Sequence, residues 1–225
     1  MSSLNVYPQV VDTIQNDFVR YRNLTIVEPI DLSRISKILD QTEYIRINAI
    51  RDSPRGNRKH VIFLVLDESK KYCHNSPELK KLMESIDNDP VSKDKTLDEV
   101  ILVVDNSFKN KKNLMEVIKT YQERETRGPD LAGNEAFYTV IDNISVRMAI
   151  PEHEIVPKHE LMTPEETQDF LNFQLKTMRE FPTVPHTDPQ ITWIGGRPGQ
   201  MVRIIRPSEA TTVSIAYRTI TYGTS

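Results

Sequence analysis

The chain has 225 residues, 38% of them hydrophobic and 27% charged, with a net charge of −3 at pH 7. That length supports one large domain or two small ones with a buried core, and the near-neutral balance excludes binding to nucleic acid by bulk charge. The single cysteine, Cys73, excludes an internal disulfide and any cysteine-cluster zinc site within the chain, which suits a reducing compartment.

No apolar run approaches transmembrane length; Val61 to Leu66 and Val100 to Val104 are far too short. Met1-Ser2-Ser3-Leu4-Asn5 lacks a basic-then-apolar signal pattern. The expectation is a soluble, intracellular protein with no membrane partner.

In chain order, Val11, Ile14, Phe18 and Tyr21 recur at helical spacing and predict an opening helix. Asp31 is placed to cap a second short helix whose Leu32, Ile35, Ile38 and Leu39 share a face. Ile45, Ile47 and Ala49 alternate with Arg46 and Asn48, as in a half-buried strand. Val61-Ile62-Phe63-Leu64-Val65-Leu66 and Val100-Ile101-Leu102-Val103-Val104 read as strands covered on both faces. Between them, Ser76-Pro77 opens a helix with Leu79, Leu82, Met83 and Ile86 on one side. A further helix carries Leu114, Val117, Ile118 and Tyr121, and residues 127–134 form a loop. Phe137 to Ile141 and Val146 to Ile150 are expected as strands leading to Pro151, where the domain boundary is placed. Two buried strands separated by a helix predict a three-layer α/β domain with a mixed sheet over residues 1–150.

The second part, 151–225, is more tightly punctuated. Thr163-Pro164-Glu165-Glu166 starts a helix, and Asp188-Pro189 caps and opens a shorter one. Gly195 and Gly196 are suited to the positive φ that ends it, and Pro198-Gly199 to a tight turn. Alternation in Met201 to Ile205 and Val213 to Arg218 predicts two strands, with a break at Arg206-Pro207-Ser208-Glu209-Ala210. A phosphate-binding loop follows a strand and opens a helix; here a helix precedes the glycines and a strand follows, so they shape a turn.

Asp188-Pro189, the Gly195/Gly199 turn, Val202-Arg203-Ile204-Ile205-Arg206-Pro207-Ser208-Glu209 and Tyr217-Arg218 together resemble a known tract. It is the C-terminal assembly domain of the fifth-largest subunit of nuclear, eukaryotic-type DNA-dependent RNA polymerases, a family with an archaeal counterpart. Ile150-Pro151-Glu152-His153-Glu154-Ile155-Val156-Pro157-Lys158-His159-Glu160 is similar to that family's acidic, histidine-containing lead-in. Cellular members usually carry an aromatic-Gly pair followed by a basic residue, where this chain has Trp193-Ile194-Gly195-Gly196-Arg197-Pro198-Gly199. That wording is similar to versions encoded by large DNA viruses of the African swine fever type.

The resemblance implies α/β and α+β domains. One is an inactive N-terminal jaw of restriction-endonuclease-like shape; the other is a two-layer assembly domain with a small mixed sheet. It also implies a non-catalytic polymerase subunit without cofactor. The C-terminal domain docks on the largest RNA polymerase subunit beside other polymerase subunits. The jaw contacts downstream double-stranded DNA non-specifically. The compartment is the virion and host cytoplasm if the chain is viral, and the nucleus if it is cellular.

Candidate residues follow from the two readings together. Lys109, Lys111 and Lys112 crowd a helix start, and the resemblance places that loop beside downstream DNA; lysines there grip phosphates without reading bases. Arg51, Arg55, Arg58 and Lys59 form a second basic cluster, equally consistent with solvated surface. For docking, Asp188, Arg197, Arg206, Ser208, Glu209 and Arg218 are the polar candidates, each with a possible internal use: Asp188 as a cap, Glu209 as a partner of Arg206. Trp193 is either a core anchor or an interface hot spot.

Two alternatives are distinct in class. A metal-dependent nuclease would use Glu68-Ser69-Lys70, but Asp52 lies in a loop and Asp67 points to the opposite face from Glu68. A free-standing DNA-binding transcription adaptor is the other. His153 and His159, six apart in a proline-flanked, extended stretch, do not pair as metal ligands. Cys73 and His74 are sequence neighbours, not a presented dyad.

Overall fold

The computed structural model describes residues 6–42, 44–52, 57–66, 77–94, 96–104, 136–208 and 212–222. Contacts divide the chain into two units, Met1–Met148 and Ala149–Ser225. Each is built on its own mixed sheet with helices against it, an α+β arrangement.

In the first unit, α1 (Val6–Thr13) passes through a π-turn (Ile14–Phe18) into α2 (Val19–Tyr21). The π-turn inserts a residue into the helical repeat. Tyr7, Val10, Val11, Ile14 and Phe18 stay buried, but after the turn Val19 and Arg22 take the inner positions and Tyr21 is only half-buried. Strand β1 (Thr25–Ile26) follows, and Asp31 accepts from Ser33 N at 2.9 Å to cap a 3-10 turn (Leu32–Arg34) leading into α3 (Ile35–Gln41). Only Ile35 of the expected apolar face is fully buried.

The sheet runs β1-β2-β3-β4-β5, with β2 (Ile45–Arg51), β3 (Arg58–Val65), β4 (Leu97–Val104) and β5 (Phe137–Asp142). Pairs β1/β2 and β2/β3 are antiparallel, while β3/β4 and β4/β5 are parallel. Val61, Phe63 and Val65 lie beside Val100, Leu102 and Val104 on one face, where Leu82 and Ile86 of α4 (Pro77–Asp87) cover them. The opposite face carries Ile62, Leu64, Ile101 and Val103, all buried. Both central strands are thus covered on both sides, which explains their unbroken apolar runs.

One expected strand is a helix. Asp142 ends β5, and its carboxylate accepts from Ser145 N and Oγ, both at 2.8 Å, capping α5 (Asn143–Arg147). Val146 is buried, but Met148 is exposed and Ile150 sits in a 3-10 turn (Ile150–Glu152). The apparent alternation of Val146, Met148 and Ile150 therefore does not mark one strand face; the cap outweighs it. The stretch from Pro151 to Pro157 is likewise turned, not extended, with Val156 N donating to His153 O.

The second unit has the strand order β6-β8-β9-β7, from β6 (Lys158–Leu161), β7 (Thr183–Pro185), β8 (Met201–Ser208) and β9 (Thr212–Thr221). Antiparallel β6/β8 and β8/β9 pairs meet a parallel β7/β9 pair. Helix α6 (Pro164–Gln174) opens on a capping box in which Thr163 and Glu166 exchange side-chain and backbone bonds. It packs Phe170 on Tyr217 at 4.0 Å between ring centroids. Helix α7 (Pro189–Ile194) lies on the other face, where Ile191 joins Val184, Val202 and Ile220 in the core.

Strand β8 does not break at Arg206-Pro207 but continues to Ser208. Met201 O accepts from Met162 N on the β6 side, so by period two residue 207 also turns its nitrogen away from β9. Proline is tolerated there because no ladder bond is asked of it.

Candidate subunit interface

The corner from His186 to Met201 shapes the second unit. Asp188 Oδ1 accepts from Gln190 N at 2.9 Å and from Ile191 N at 3.3 Å, so its carboxylate serves as the cap of α7. Thr192 Oγ1 donates to the Asp188 carbonyl at 2.9 Å. Gly195 closes the helix with φ 72°, the left-handed value that favours glycine. Gly196 is needed for a different reason, since a Cβ there would lie 2.7 Å from Ile191 Cγ2 and 2.8 Å from Ile220 Cδ1. It lets the end of α7 close on the sheet. Gly199, with φ 86°, turns the chain into β8, and its N donates to Ile220 O at 2.9 Å.

Trp193 is 0% exposed in the chain. That burial favours the core-anchor reading of the indole over the interface one. Arg197 is half-buried, and its backbone N donates to Gln200 Oε1 at 2.7 Å. Arg206 is exposed on β8. Arg218 Nη1 donates to Thr183 O at 3.2 Å, tying β9 to the start of β7. The Ser208 side chain, Glu209, Lys109, Lys111 and Lys112 lie outside the described residues, as do Glu68, Ser69, Lys70, Cys73, His74, Arg55, the residue 114–121 helix and the 127–134 loop. So do the side chains of Leu79 and Met83.

An ion-pair chain crosses the α6 side of the sheet. Glu160 meets Lys158 Nζ at 2.6 Å and Arg203 Nε at 2.8 Å, and Arg203 reaches Glu166 at 3.4 Å. Lys158 and then Arg203 hold the Glu160 carboxyl below the usual carboxylate range, and Glu160 in turn raises Arg203. His159 Nδ1 lies 2.7 Å from Pro157 O. Around the start of β6, a cleft of about 680 Å³ is lined by the apolar Ile155, Val156, Pro157, Ile205, Pro207 and Val213 together with the charged Glu154, Lys158 and Arg206. Ile155 is 90% exposed, and Val213 and Ile215 are about half exposed. Sequence reasoning missed these apolar residues, because alternation predicts which face a side chain takes and not whether that face is covered.

The first unit holds a buried polar cluster that sequence reasoning also missed. Glu99 accepts from Arg22 Nη1 at 2.8 Å on each oxygen and from Thr139 Oγ1 at 2.6 Å; His60 Nδ1 lies 3.2 Å from Oε2. Arg22 also lies over the Phe18 ring at 4.7 Å. A charge pair of this burial is tolerated only because each partner is met. The available signal was parity: Glu99 shares a face with Ile101 and Val103, so its carboxylate had to find a cation inside. Asp52, beyond the end of β2, is exposed. Among the described residues, no group of three or more His, Cys, Asp or Glu is arranged to hold a metal ion. None of the described helices is long and apolar enough to cross a membrane.

The sequence also matches known proteins. The family "RNA polymerase Rpb5, C-terminal domain" matches residues 148–220. The chain is 29% identical over 206 residues to the DNA-directed RNA polymerase RPB5 homolog of African swine fever virus, spanning 91% of this chain and 93% of that one. It is 38% identical over 73 residues to the DNA-directed RNA polymerase subunit Rpo5 of Methanocaldococcus jannaschii, covering 32% of this chain and 94% of that one. Over 72 residues it is 43% identical to subunit RPABC1 of DNA-directed RNA polymerases I, II and III of Caenorhabditis elegans, or 32% of this chain and 34% of that one. The chain belongs to the Rpb5 family of DNA-directed RNA polymerase subunits.

Proposed function

We propose that this chain acts in transcription as a non-catalytic subunit of a multisubunit DNA-directed RNA polymerase. Residues 149–225 dock on the largest subunit, and the first unit serves as part of a jaw of nuclease-like shape that contacts downstream DNA. The carrying observation is the second unit itself. Its helix, glycine turn and hairpin coincide with the matched stretch 148–220, and Ile155 beside β6 and Val213 and Ile215 on the hairpin are exposed apolar residues. Arg206, Arg197 and Arg218, with Ser208 and Glu209, set the register of docking, while Asp188 acts through the helix it caps. Lys109, Lys111 and Lys112 supply the DNA grip. The polymerase is viral or nuclear, and a viral one is carried in the virion. Polymerisation chemistry belongs to the larger subunits; this chain contributes no catalytic group.

Affinity purification of the tagged full chain tests the reading. The two largest polymerase subunits are expected at equal stoichiometry; their absence in mild salt refutes it and favours a free-standing adaptor. In the assembled enzyme, alanine at Lys109, Lys111 and Lys112 is expected to reduce open-complex stability and to flatten its salt dependence. An unchanged salt response would remove the DNA assignment while leaving docking intact.

A further inference from the structure

The geometry points to the outer edge of β9 as a strand-addition site, occupied in the assembled polymerase by an extended segment of a neighbouring subunit. This inference rests on the docking reading above. Strand β9 has ten residues, but β7 pairs only with Thr219, Ile220 and Thr221. Thr219 N donates to Pro182 O, so residue 219 turns its backbone groups away from β8. In an antiparallel pair that orientation recurs every second residue. The N–H and C=O of Ile215 and Tyr217 therefore point the same way, past the end of β7. Among the described residues, no backbone group bonds to them there.

Open edges are normally guarded against pairing by brevity, charge or proline. The other two outer strands obey this. Strand β6 has four residues, three of them Lys158, His159 and Glu160; β7 has three and ends in Pro185. The outer part of β9 reads Thr212-Val213-Ser214-Ile215-Ala216-Tyr217, with no charge, no proline and three β-branched side chains. Val213 and Ile215 are exposed on one face, opposite Pro207 and Ile205. Such a segment invites another strand. Its chemistry also defines the occupant: an extended, uncharged segment whose backbone matches the outward groups of Ile215 and Tyr217 and whose apolar side chains continue the Val213/Ile215 face. This edge is continuous with the Ile155/Val213 cleft, and the chain belongs to a family of polymerase subunits, so a neighbouring subunit is the occupant favoured over a second copy of this chain.

Amide hydrogen exchange of the full chain, alone and within the assembled polymerase, tests this directly. The Ile215 and Tyr217 amides are expected to slow at least about ten-fold on assembly. Ile215→Pro removes one outward donor without touching the β8 ladder, and Ile215→Lys adds an edge guard while keeping the donor. Both are expected to lower incorporation several-fold, with Ile215→Thr incorporated like the original chain. Equal exchange in the two states overturns the inference even if a variant misfolds. So does full incorporation of a folded Ile215→Pro chain. A concentration-dependent dimer of the free chain, lost in Ile215→Pro with polymerase assembly unchanged, would put a second copy on this edge and overturn it too. Failure of the unaltered chain to join any polymerase is a separate result, which removes the docking reading and this inference together.

Discussion

Replacing Gly196 with alanine probes how closely α7 must approach its sheet. Gly196 lies outside the left-handed region that only Gly195 and Gly199 occupy among the described glycines, so its backbone accepts an L-residue. The penalty is therefore steric. A methyl would sit 2.7 Å from Ile191 Cγ2, 2.8 Å from Ile220 Cδ1 and 3.3 Å from Leu161 Cδ2. The Ile220 methyl is the end of a flexible chain, but Ile191 Cγ2 is a branch on Cβ and yields only if the helix shifts or its rotamer flips. Overpacking of this kind costs about 1–3 kcal/mol. Alanine recovers roughly 0.4–1 kcal/mol by narrowing the unfolded ensemble, leaving a net loss of about 1–2 kcal/mol. For a unit below a hundred residues this lowers the midpoint by roughly 4–16 °C. Trp193, the chain's single tryptophan, is fully buried beside this corner and reports the unit's unfolding by fluorescence. Gly199→Ala is the comparison, because no atom lies within 4 Å of its Cβ position and only its φ of 86° is penalised, at about 1–2 kcal/mol. An unchanged Trp193 transition in Gly196→Ala would refute the close-approach argument.

Leu175 ends α6 in the left-handed region, with φ 52°, and is 91% exposed. Leu175→Gly should stabilise the second unit by about 1 kcal/mol in denaturant titrations, since strain is relieved and little packing is lost; a lower midpoint would show that the leucine packs. Glu99→Gln leaves Arg22 buried without its counter-charge and should destabilise the first unit by about 3–5 kcal/mol. A thermal scan within a degree of the original protein would contradict that. Burial lowers the His186 pKa below its ordinary value, opposed in part by its bond to Thr221 O. The unfolded chain then binds more protons than the folded one, so stability is complete above about pH 6.5 and declines as pH falls toward the lowered folded value. His186→Gln should flatten that decline, measured as Trp193-detected midpoints between pH 7 and 5; a slope unchanged by the substitution would assign it to another group.

Local patterns carried much of the second unit. Asp188-Pro189, Thr163 with Glu166, and Gly195 act on their own backbone neighbours, so a cap or a left-handed stop can be read from a few adjacent letters. The same holds for the long apolar runs of β3 and β4, whose double burial is written into their composition. Where two local signals competed, at Val146 to Ile150, the Asp142 cap prevailed over apolar alternation.

By itself, then, the order of residues determined the caps, the glycine stop, the central strands and the family tract, because each depends on interactions within a few positions. Tertiary structure alone decided that Trp193 faces inward, that Arg22 reaches Glu99 across 77 positions, that Gly196 is a contact point, and that β9 outruns its neighbour. Those outcomes depend on which distant surfaces meet and which are left uncovered, and no local periodicity encodes the length of a partner strand.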